Sequence, residues 1–157
     1  MPIPIPKKGE TVNEFMDRCM SDSVMLNEYP RIEQRYAVCS MVYESEKKSQ
    51  IRNETFTDYP DAAINNAKRA LKWKEQNGNP RGCGTLVGWA RANQLANREP
   101  ISFDTVKRMA AFIRHKQNKD RPYNEGCGGL MWDAWGGDAG INWAIRKVEQ
   151  INKKNNE

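Results

Sequence analysis

The chain has 157 residues, of which 38% are hydrophobic and 29% charged, and its formal net charge is +5. This length suits one ordinary domain, or one domain with a small appended module, and the aromatic residues supply enough apolar volume for a buried core. No run of about 18 apolar residues occurs, which excludes a transmembrane helix. The opening MPIPIPKKGE lacks the apolar segment of a signal peptide, so we expect synthesis in the cytoplasm.

The charge is distributed unevenly along the chain. Residues 1–60 carry 8 Lys and Arg against 10 Asp and Glu, whereas residues 61–157 carry 17 against 10. A basic half of this kind suits an anionic partner such as nucleic acid or an acidic protein surface. The alternative is a set of helices whose solvated faces are rich in Lys and Arg and have no binding role.

The first part of the sequence predicts an arm followed by a helical hairpin. The predicted extended arm spans residues 1–9. Over its first six residues proline alternates with apolar residues, and proline excludes a helix because it lacks an N–H and fixes φ. Residues 10–45 show apolar residues at helical spacing, and Thr11 with Glu14 has the pattern of a capping box. An extended arm can lie along a partner. Its candidate binding residues are Pro2, Ile3, Pro4, Ile5 and Pro6.

The polar, aperiodic residues 46–60 are the predicted linker to a basic helical domain, residues 61–157. In this domain Asp61 and Ser102 are expected N-caps and Gly78 an expected helix end. Apolar residues recur at helical spacing, and the alternation typical of strands is missing beyond the arm. We therefore predict an all-α fold, a compact multi-helix bundle of about seven helices with an extended Pro-rich N-terminal arm.

None of the four cysteines belongs to a CxxC motif. Cys19 and Cys39 lie in apolar stripes, which predicts buried small hydrophobic residues. Cys83 and Cys127 lie in the glycine-rich segments RGCGT and EGCGG, where a disulfide requires that the two loops meet; a cytoplasmic origin argues against it. With His115 as the only histidine, the set of ligands is too small for a zinc site, so we predict no metal and no cofactor.

No motif in the chain predicts catalysis. GGDAG and EGCGG match neither of the common phosphate-binding patterns, and the strand that such loops follow is missing. His115 stands between Arg114 and Lys116 as an expected solvated histidine, and the sequence places no Ser or Cys nucleophile beside it. We therefore predict a protein without enzymatic activity and assign no catalytic residue.

The segment MWDAWGGDAG, residues 131–140, is predicted to join two helices. One helix ends here, a glycine with positive φ stops it, and an aspartate caps the next helix. The two tryptophans are spaced three residues apart and should anchor the short helix in the core. The residues with this structural role are Trp132, Trp135, Gly136, Gly137 and, as the N-cap, Asp138.

Residues 85–117 have the pattern of two helices joined by a short break, the second of them basic, as in a helix-turn-helix. The break lacks the usual turn glycine, and every helical bundle contains adjacent helix pairs. Nucleic-acid binding is therefore an alternative function. Its candidate residues are Lys68, Arg69, Arg91, Lys107, Arg108, Arg114 and Lys116.

Two stretches also resemble modules of tailed-bacteriophage head-associated proteins. The first carries IPKKGE, EFMDRCMSD and EYPRIEQRYAVC; the second carries GWARANQLANREPISFDTVKRMAAFIRHK and WDAWGGDAGINWA, and together they span residues 4–45 and 62–148. Such modules occur near phage head and prohead-protease genes. The resemblance implies a virion-associated protein that contacts other virion proteins and is made in the host bacterial cytoplasm, but it brings no protease residues with it.

The leading hypothesis is thus a non-enzymatic structural component of the virion, such as a capsid-associated, connector or internal head protein, that acts through protein–protein contacts. Two alternatives stay open: a helical protein that binds nucleic acid through residues 85–117, and a phage protein that binds and modulates a host factor. A membrane is not expected among the partners, and no pattern in the sequence sets an oligomeric state.

Overall fold

Helices make up most of residues 2–155, the part of the chain that the computed structural model describes. In this range there are eight α-helices, one 3-10 helix and a pair of two-residue strands, which confirms the predicted all-α class. None of these helices is both long and apolar enough to cross a membrane. The chain divides between Asn53 and Glu54 into two units, which we call the first and the second unit.

The first unit contains three helices where the sequence predicted a hairpin. They are α1 (Val12–Met20), α2 (Ser23–Glu28) and α3 (Ile32–Asn53). Thr11 accepts from the backbone N–H of Glu14, and the Glu14 carboxylate accepts from the Thr11 N–H, so the predicted capping box is confirmed. Residues 46–53, which were expected in the linker, continue α3. The reason is that Glu, Lys, Gln and Arg are strong helix formers even without an apolar stripe.

A disulfide between Cys19 and Cys39 joins α1 to α3. The sequence predicted the burial of both cysteines but not the bond between them. They meet because α1 packs on α3, and their Cα atoms are 6.0 Å apart, within the usual span of a disulfide. The bond lies in an apolar core whose other fully buried side chains are Phe15 and Met25.

Arg35 holds the end of α1 and the loop before α3 together. Its Nε donates to the Met20 carbonyl at 3.0 Å, and its Nη1 donates to the carbonyls of Tyr29 at 2.9 Å and Pro30 at 3.1 Å. The side chain is buried at 9% exposure. Carbonyl oxygens left free at the ends of helices need donors, and a guanidinium supplies several in one plane.

The N-terminal arm lies without regular structure against its own unit, held by Arg18. This side chain donates to the carbonyl of Ile5 at 2.8 Å and, through two nitrogens, to the carboxylate of Glu10 at 2.9 Å for each bond. Ile3 packs against the core of the first unit, whereas Ile5 is 60% exposed. Only part of the expected partner-binding arm is therefore free to meet another protein: Pro2 and Ile5 are exposed, and Ile3, Pro4 and Pro6 are half-buried.

We expect the arm to loosen at acid pH. The Arg18 guanidinium, together with the backbone N–H of Lys7, lowers the pKa of Glu10 from 4.5 to about 2. A carboxyl with a lowered pKa in the folded chain stabilises it above pH 4.5, and the contribution disappears as the pH falls towards 2. Glu10→Gln should therefore lower the melting temperature of the first unit at pH 7, with a difference from wild type that shrinks below pH 4.5.

Far-UV circular dichroism melts at several pH values test this expectation. Asp17→Asn is the matched control, because Asp17 is exposed on α1 and its side chain has no hydrogen bond or ion pair within residues 2–155. A constant difference between wild type and Glu10→Gln at every pH would contradict the role given to the Glu10 carboxylate.

The second unit is built around one long central helix. Its elements are β1 (Thr55–Phe56), α4 (Asp61–Asn77), α5 (Leu86–Ala96), β2 (Ile101–Ser102), α6 (Phe103–Ala111), a 3-10 helix (Phe112–Asn118), α7 (Gly128–Ala134) and α8 (Gly137–Asn155). The central helix α4 packs against α5, α7 and α8, while α6 packs mainly on α8. The small and apolar side chains of α4 that make these contacts are buried: Ala63, Ile64, Ala67 and Ala70.

The strands β1 and β2 form an antiparallel pair, which corrects the prediction that the chain has no strand. Thr55 pairs with Ser102, and Phe56 pairs with Ile101. Two residues per strand are too few to show alternation of apolar and polar side chains, so the sequence pattern could not reveal them.

Two of the predicted helix ends in the second unit are confirmed and one is corrected. Ser102 caps α6 with its side-chain oxygen, and Gly78 ends α4 in the left-handed region at φ +71°. Asp61 is not the N-cap of α4, because Pro60 occupies that position in an extended conformation. Asp61 is instead the first helical residue, and its carboxylate pairs with Arg98.

The segment MWDAWGGDAG joins α7 to α8. Gly136 and Gly137 both have positive φ, +102° and +65°, and Trp132 and Trp135 are buried, as the sequence predicted for the tryptophans. The prediction that Asp138 caps α8 is wrong. The helix already begins at Gly137, which places Asp138 in its first turn, and the Asp138 carboxylate accepts from Trp132 Nε1 at 2.9 Å.

Candidate functional site

A groove with a volume of about 680 Å³ lies in the second unit. It is formed by the loop before α5, the start of α5, the end of α6, the 3-10 helix and α7. Its lining combines apolar with cationic side chains. The lining residues include Gly84, Gly88, Arg108, Phe112, Arg114, His115, Met131 and Trp135.

The apolar lining includes Phe112 of the 3-10 helix, Met131 of α7 and Trp135 at the end of α7. The Trp135 ring stacks on Phe112, with ring centroids 5.5 Å apart and planes 23° apart. Met131 lies close to Gly84 and Gly88, where an added Cβ would come within 2.6 Å and 3.3 Å of the Met131 Cε atom. These two glycines therefore leave the room that the Met131 side chain occupies.

A disulfide between Cys83 and Cys127 borders the groove. The sequence prediction argued against this bond; it was wrong, because α5 and α7 both pack on α4 and so bring the two glycine-rich loops together. The Cα atoms of the two cysteines are 5.3 Å apart. The loop around Cys83 is fixed further by two side chains. Asn79 Oδ1 accepts from the backbone N–H of Cys83 and Asn79 Nδ2 donates to the Cys83 carbonyl, each at 2.9 Å. Trp89 Nε1 donates to the same carbonyl at 2.9 Å.

The charged lining of the groove is entirely cationic. Arg108 and Arg114 contribute guanidinium groups, and no Asp or Glu side chain of residues 2–155 lines the groove. Among residues 2–155 the Arg108 side chain has no hydrogen bond or ion pair, whereas its neighbour Lys107 pairs with Asp104 at 3.3 Å. The groove thus presents positive charge that the described part of the chain does not neutralise.

His115 is not the solvated histidine that the sequence predicted. It is half-buried, it lines the groove, and its ring lies against Phe112 with centroids 4.7 Å apart. Its Nε2 accepts from Arg114 Nε at 3.2 Å. The α-helix ends at Ala111, and His115 belongs to the 3-10 helix Phe112–Asn118 that follows it.

Asp133 on α7 is half-buried and has two partners in the second unit. Tyr123 donates its hydroxyl to Asp133 Oδ2, and Arg69 Nη1 lies 3.6 Å from the same oxygen. Burial raises the pKa of Asp133 above its ordinary value, against the opposing effects of Tyr123 and Arg69, and burial also raises the pKa of Tyr123. Trp73 packs edge-on against the Tyr123 ring at 5.9 Å, so the cluster fixes α7 to α4.

The carboxylate of Asp138 links three elements around the helix joint. Lys119 Nζ donates to its two oxygens at 3.2 Å and 3.0 Å, and Trp132 Nε1 donates to Oδ1. The bond with Lys119 lowers the pKa of Asp138, with a further contribution from Trp132. Asn66 on α4 donates to the carbonyl of Gly136 at 3.0 Å, which holds the joint from its other side. These contacts are structural and were not visible in the sequence.

The basic residues predicted to bind nucleic acid are spread over α4, α5, α6 and the 3-10 helix. The helices α5 and α6 do not pack mainly on each other, because α5 packs on α4 and α6 on α8, so residues 85–117 differ from a helix-turn-helix pair. Arg69 and Lys107 lie beside carboxylates, and Arg91 donates to Gln94 at 2.9 Å. Of the predicted set, which also includes Lys68 and Lys116, the structure brings Arg108 and Arg114 to the groove.

A separate apolar feature lies on α3 of the first unit. Ile32 and Tyr36 are each 60% exposed and are one helical turn apart, so they share a face. We call them the α3 apolar pair. Met41 is 70% exposed and lies on the opposite side of the helix, because five residues after Tyr36 correspond to about 140° of rotation.

No group of three or more His, Cys, Asp or Glu side chains that could hold a metal ion occurs in the described range. Comparisons with models of protein families, with curated proteins and with solved structures found no match for this chain.

Proposed function

We propose that the chain is a non-enzymatic structural component of a bacteriophage particle that binds another virion protein through its first unit. The observation that carries this proposal is the exposure of the α3 apolar pair. The resemblance of residues 4–45 and 62–148 to head-associated phage modules supports the choice of the virion as the setting.

The α3 apolar pair has the composition of a protein interface. Tyrosine is enriched among the residues that dominate binding, and its ring supplies a large apolar area with a polar tip. Covering a large apolar side chain fully is worth about 1.5–3 kcal/mol, so an exposed Ile32 beside an exposed Tyr36 offers substantial binding energy to a partner. Ile5 in the arm is a further exposed apolar side chain of the same unit.

Replacing both members of the pair should remove the chain from the particle without unfolding it. We expect Ile32→Asp/Tyr36→Asp to reduce the copies per particle at least about tenfold, because the partner would then have to bury two carboxylates. The measurement is quantitative mass spectrometry of purified particles of the phage that encodes the chain, with wild type or variant supplied from a plasmid.

Met41→Asp is the control for an added carboxylate, since it places one on the opposite side of α3 and should leave the copy number unchanged. Circular dichroism of the purified variants checks that helix content is retained. Absence of the wild-type chain from purified particles would refute the virion setting, and retention of the double variant at wild-type copy number would refute the assignment of the surface.

Nucleic-acid binding is the second candidate. The observation that favours it is the excess of Lys and Arg in residues 61–157, 17 against 10 acidic residues, together with the unpaired Arg108 within the described chain. This candidate concerns the second unit, and competition between a single-stranded oligonucleotide and a peptide for the groove tests it. Binding to a host factor has no separate observation in its favour.

A further inference from the structure

We propose that the groove of the second unit binds an acidic peptide segment of another protein, in which a bulky apolar side chain is flanked by Asp or Glu. The apolar side chain would contact the lining made by Phe112, Met131 and Trp135, and a flanking carboxylate would meet Arg108 and Arg114. The groove belongs to the second unit, whereas the proposed function rests on the first unit, so the two proposals are tested independently.

The size and chemistry of the groove suit one large apolar side chain and its neighbours. A volume of about 680 Å³ lies within the range of sites that enclose small molecules or single side chains. The lining is held in place by the neighbouring disulfide, by the stacking of Trp135 on Phe112 and by the close approach of Met131 to Gly84. A lining fixed before binding loses little side-chain entropy when a ligand enters.

The charges select an acidic ligand. Two guanidinium groups and a histidine line the groove without a carboxylate among the lining residues, and a guanidinium can bind a carboxylate through two parallel hydrogen bonds. Arg108 has no intramolecular partner in residues 2–155, while Lys107 beside it is paired with Asp104. A carboxylate from outside the chain would give Arg108 the partner that Lys107 already has.

A peptide fits this groove better than a nucleic acid does. Binding of single-stranded nucleic acid relies on aromatic rings with open faces and on a basic path along the backbone. Here Phe112 is packed against Trp135 and His115, and Trp135 is only 8% exposed. Other cations predicted from the sequence, Lys68 and Arg91 among them, lie on α4 and α5 and do not line the groove.

The probe is a fluorescein-labelled synthetic peptide with the central sequence Glu-Asp-Leu-Phe-Asp-Glu, titrated with the full-length chain under non-reducing conditions and followed by anisotropy. We expect saturable binding that weakens at least about tenfold with Arg108→Ala, since a charge-assisted hydrogen bond is lost. Lys107→Ala is the matched control and should change the dissociation constant less than about twofold, because Lys107 already has a partner in Asp104.

Two altered peptides and a competitor complete the test. A peptide with Lys in place of the acidic residues, and one with Ser in place of Leu-Phe, should each bind at least about tenfold more weakly. Arg114→Glu is a second variant in case Arg108→Ala fails to fold, which circular dichroism would show. The proposal would be overturned if all peptides bound equally, or if the folded Arg108 and Arg114 variants bound the peptide as wild type does. It would also be overturned if a 20-nucleotide single strand bound more tightly and displaced the peptide, and this result would assign the groove to nucleic acid.

Discussion

Replacing Cys83 and Cys127 together by serine should lower the free energy of unfolding of the second unit by about 4 kcal/mol. The two cysteines are 44 residues apart, and closing a loop of that length in the unfolded chain removes conformational entropy of this size. The measurement is guanidinium unfolding followed by tryptophan fluorescence. All five tryptophans, Trp73, Trp89, Trp132, Trp135 and Trp143, belong to the second unit, so this signal reports its unfolding.

Two controls separate the crosslink from other effects of the substitution. Cys19→Ser/Cys39→Ser removes the disulfide of the first unit and should leave the tryptophan transition in place. Wild type with excess dithiothreitol should unfold at the same denaturant concentration as the Cys83→Ser/Cys127→Ser variant. Four titratable thiols in the unreduced, denatured protein would contradict the two bonds.

Trp135→Ala should cost about 3–5 kcal/mol, the usual effect of removing a buried aromatic side chain. The ring is 8% exposed, stacks on Phe112 and stands at the end of α7, directly before the glycines that turn the chain into α8. Its loss would leave a cavity between the 3-10 helix and the joint, because these backbone elements are held by separate bonds from Asn66 and Lys119 and cannot close around the gap.

Urea unfolding followed by far-UV circular dichroism tests this expectation. Trp73→Ala is the matched control, since Trp73 packs on the core but is only half-buried, and Tyr123 is the one aromatic ring within residues 2–155 that it contacts, so a smaller loss is expected. An unfolding midpoint for Trp135→Ala that equals or exceeds that of Trp73→Ala would show that Trp135 is not the anchor of the joint. No activity needs to be measured, because the predicted effect is on stability alone.

Features set by neighbouring residues could be predicted from the sequence, and this explains which expectations were confirmed. The capping box of Thr11 and Glu14, the cap at Ser102 and the left-handed Gly78 each depend on a few adjacent residues. Asp138 shows how sensitive such predictions are to the exact start of a helix. The helix begins two residues earlier than expected, so Asp138 lies in its first turn and is a partner of Trp132 instead of a cap.

The remaining features depend on residues that are distant in sequence. A polar stretch such as residues 46–53 is compatible with a loop or an exposed helix, and the sequence pattern does not distinguish them. The groove forms because Arg108, Phe112 and Met131, which lie on separate elements, are close together in the fold. Helical periodicity shows which residues share a face of one helix, but not which helices are neighbours. Arg108 and Arg114 were selected from the sequence as cations on a helix, but their shared site became visible only in three dimensions.

The two disulfides each close within one unit, and neither crosses the boundary between Asn53 and Glu54. Each unit therefore contains its own disulfide-closed loop, and a single uncrosslinked chain segment connects the two loops. A single proteolytic cut at the boundary would leave both crosslinked loops intact, and at the level of the gene either half could be lost, duplicated or fused to another coding sequence without breaking a crosslink. Such modularity is a property on which recombination between genomes can act.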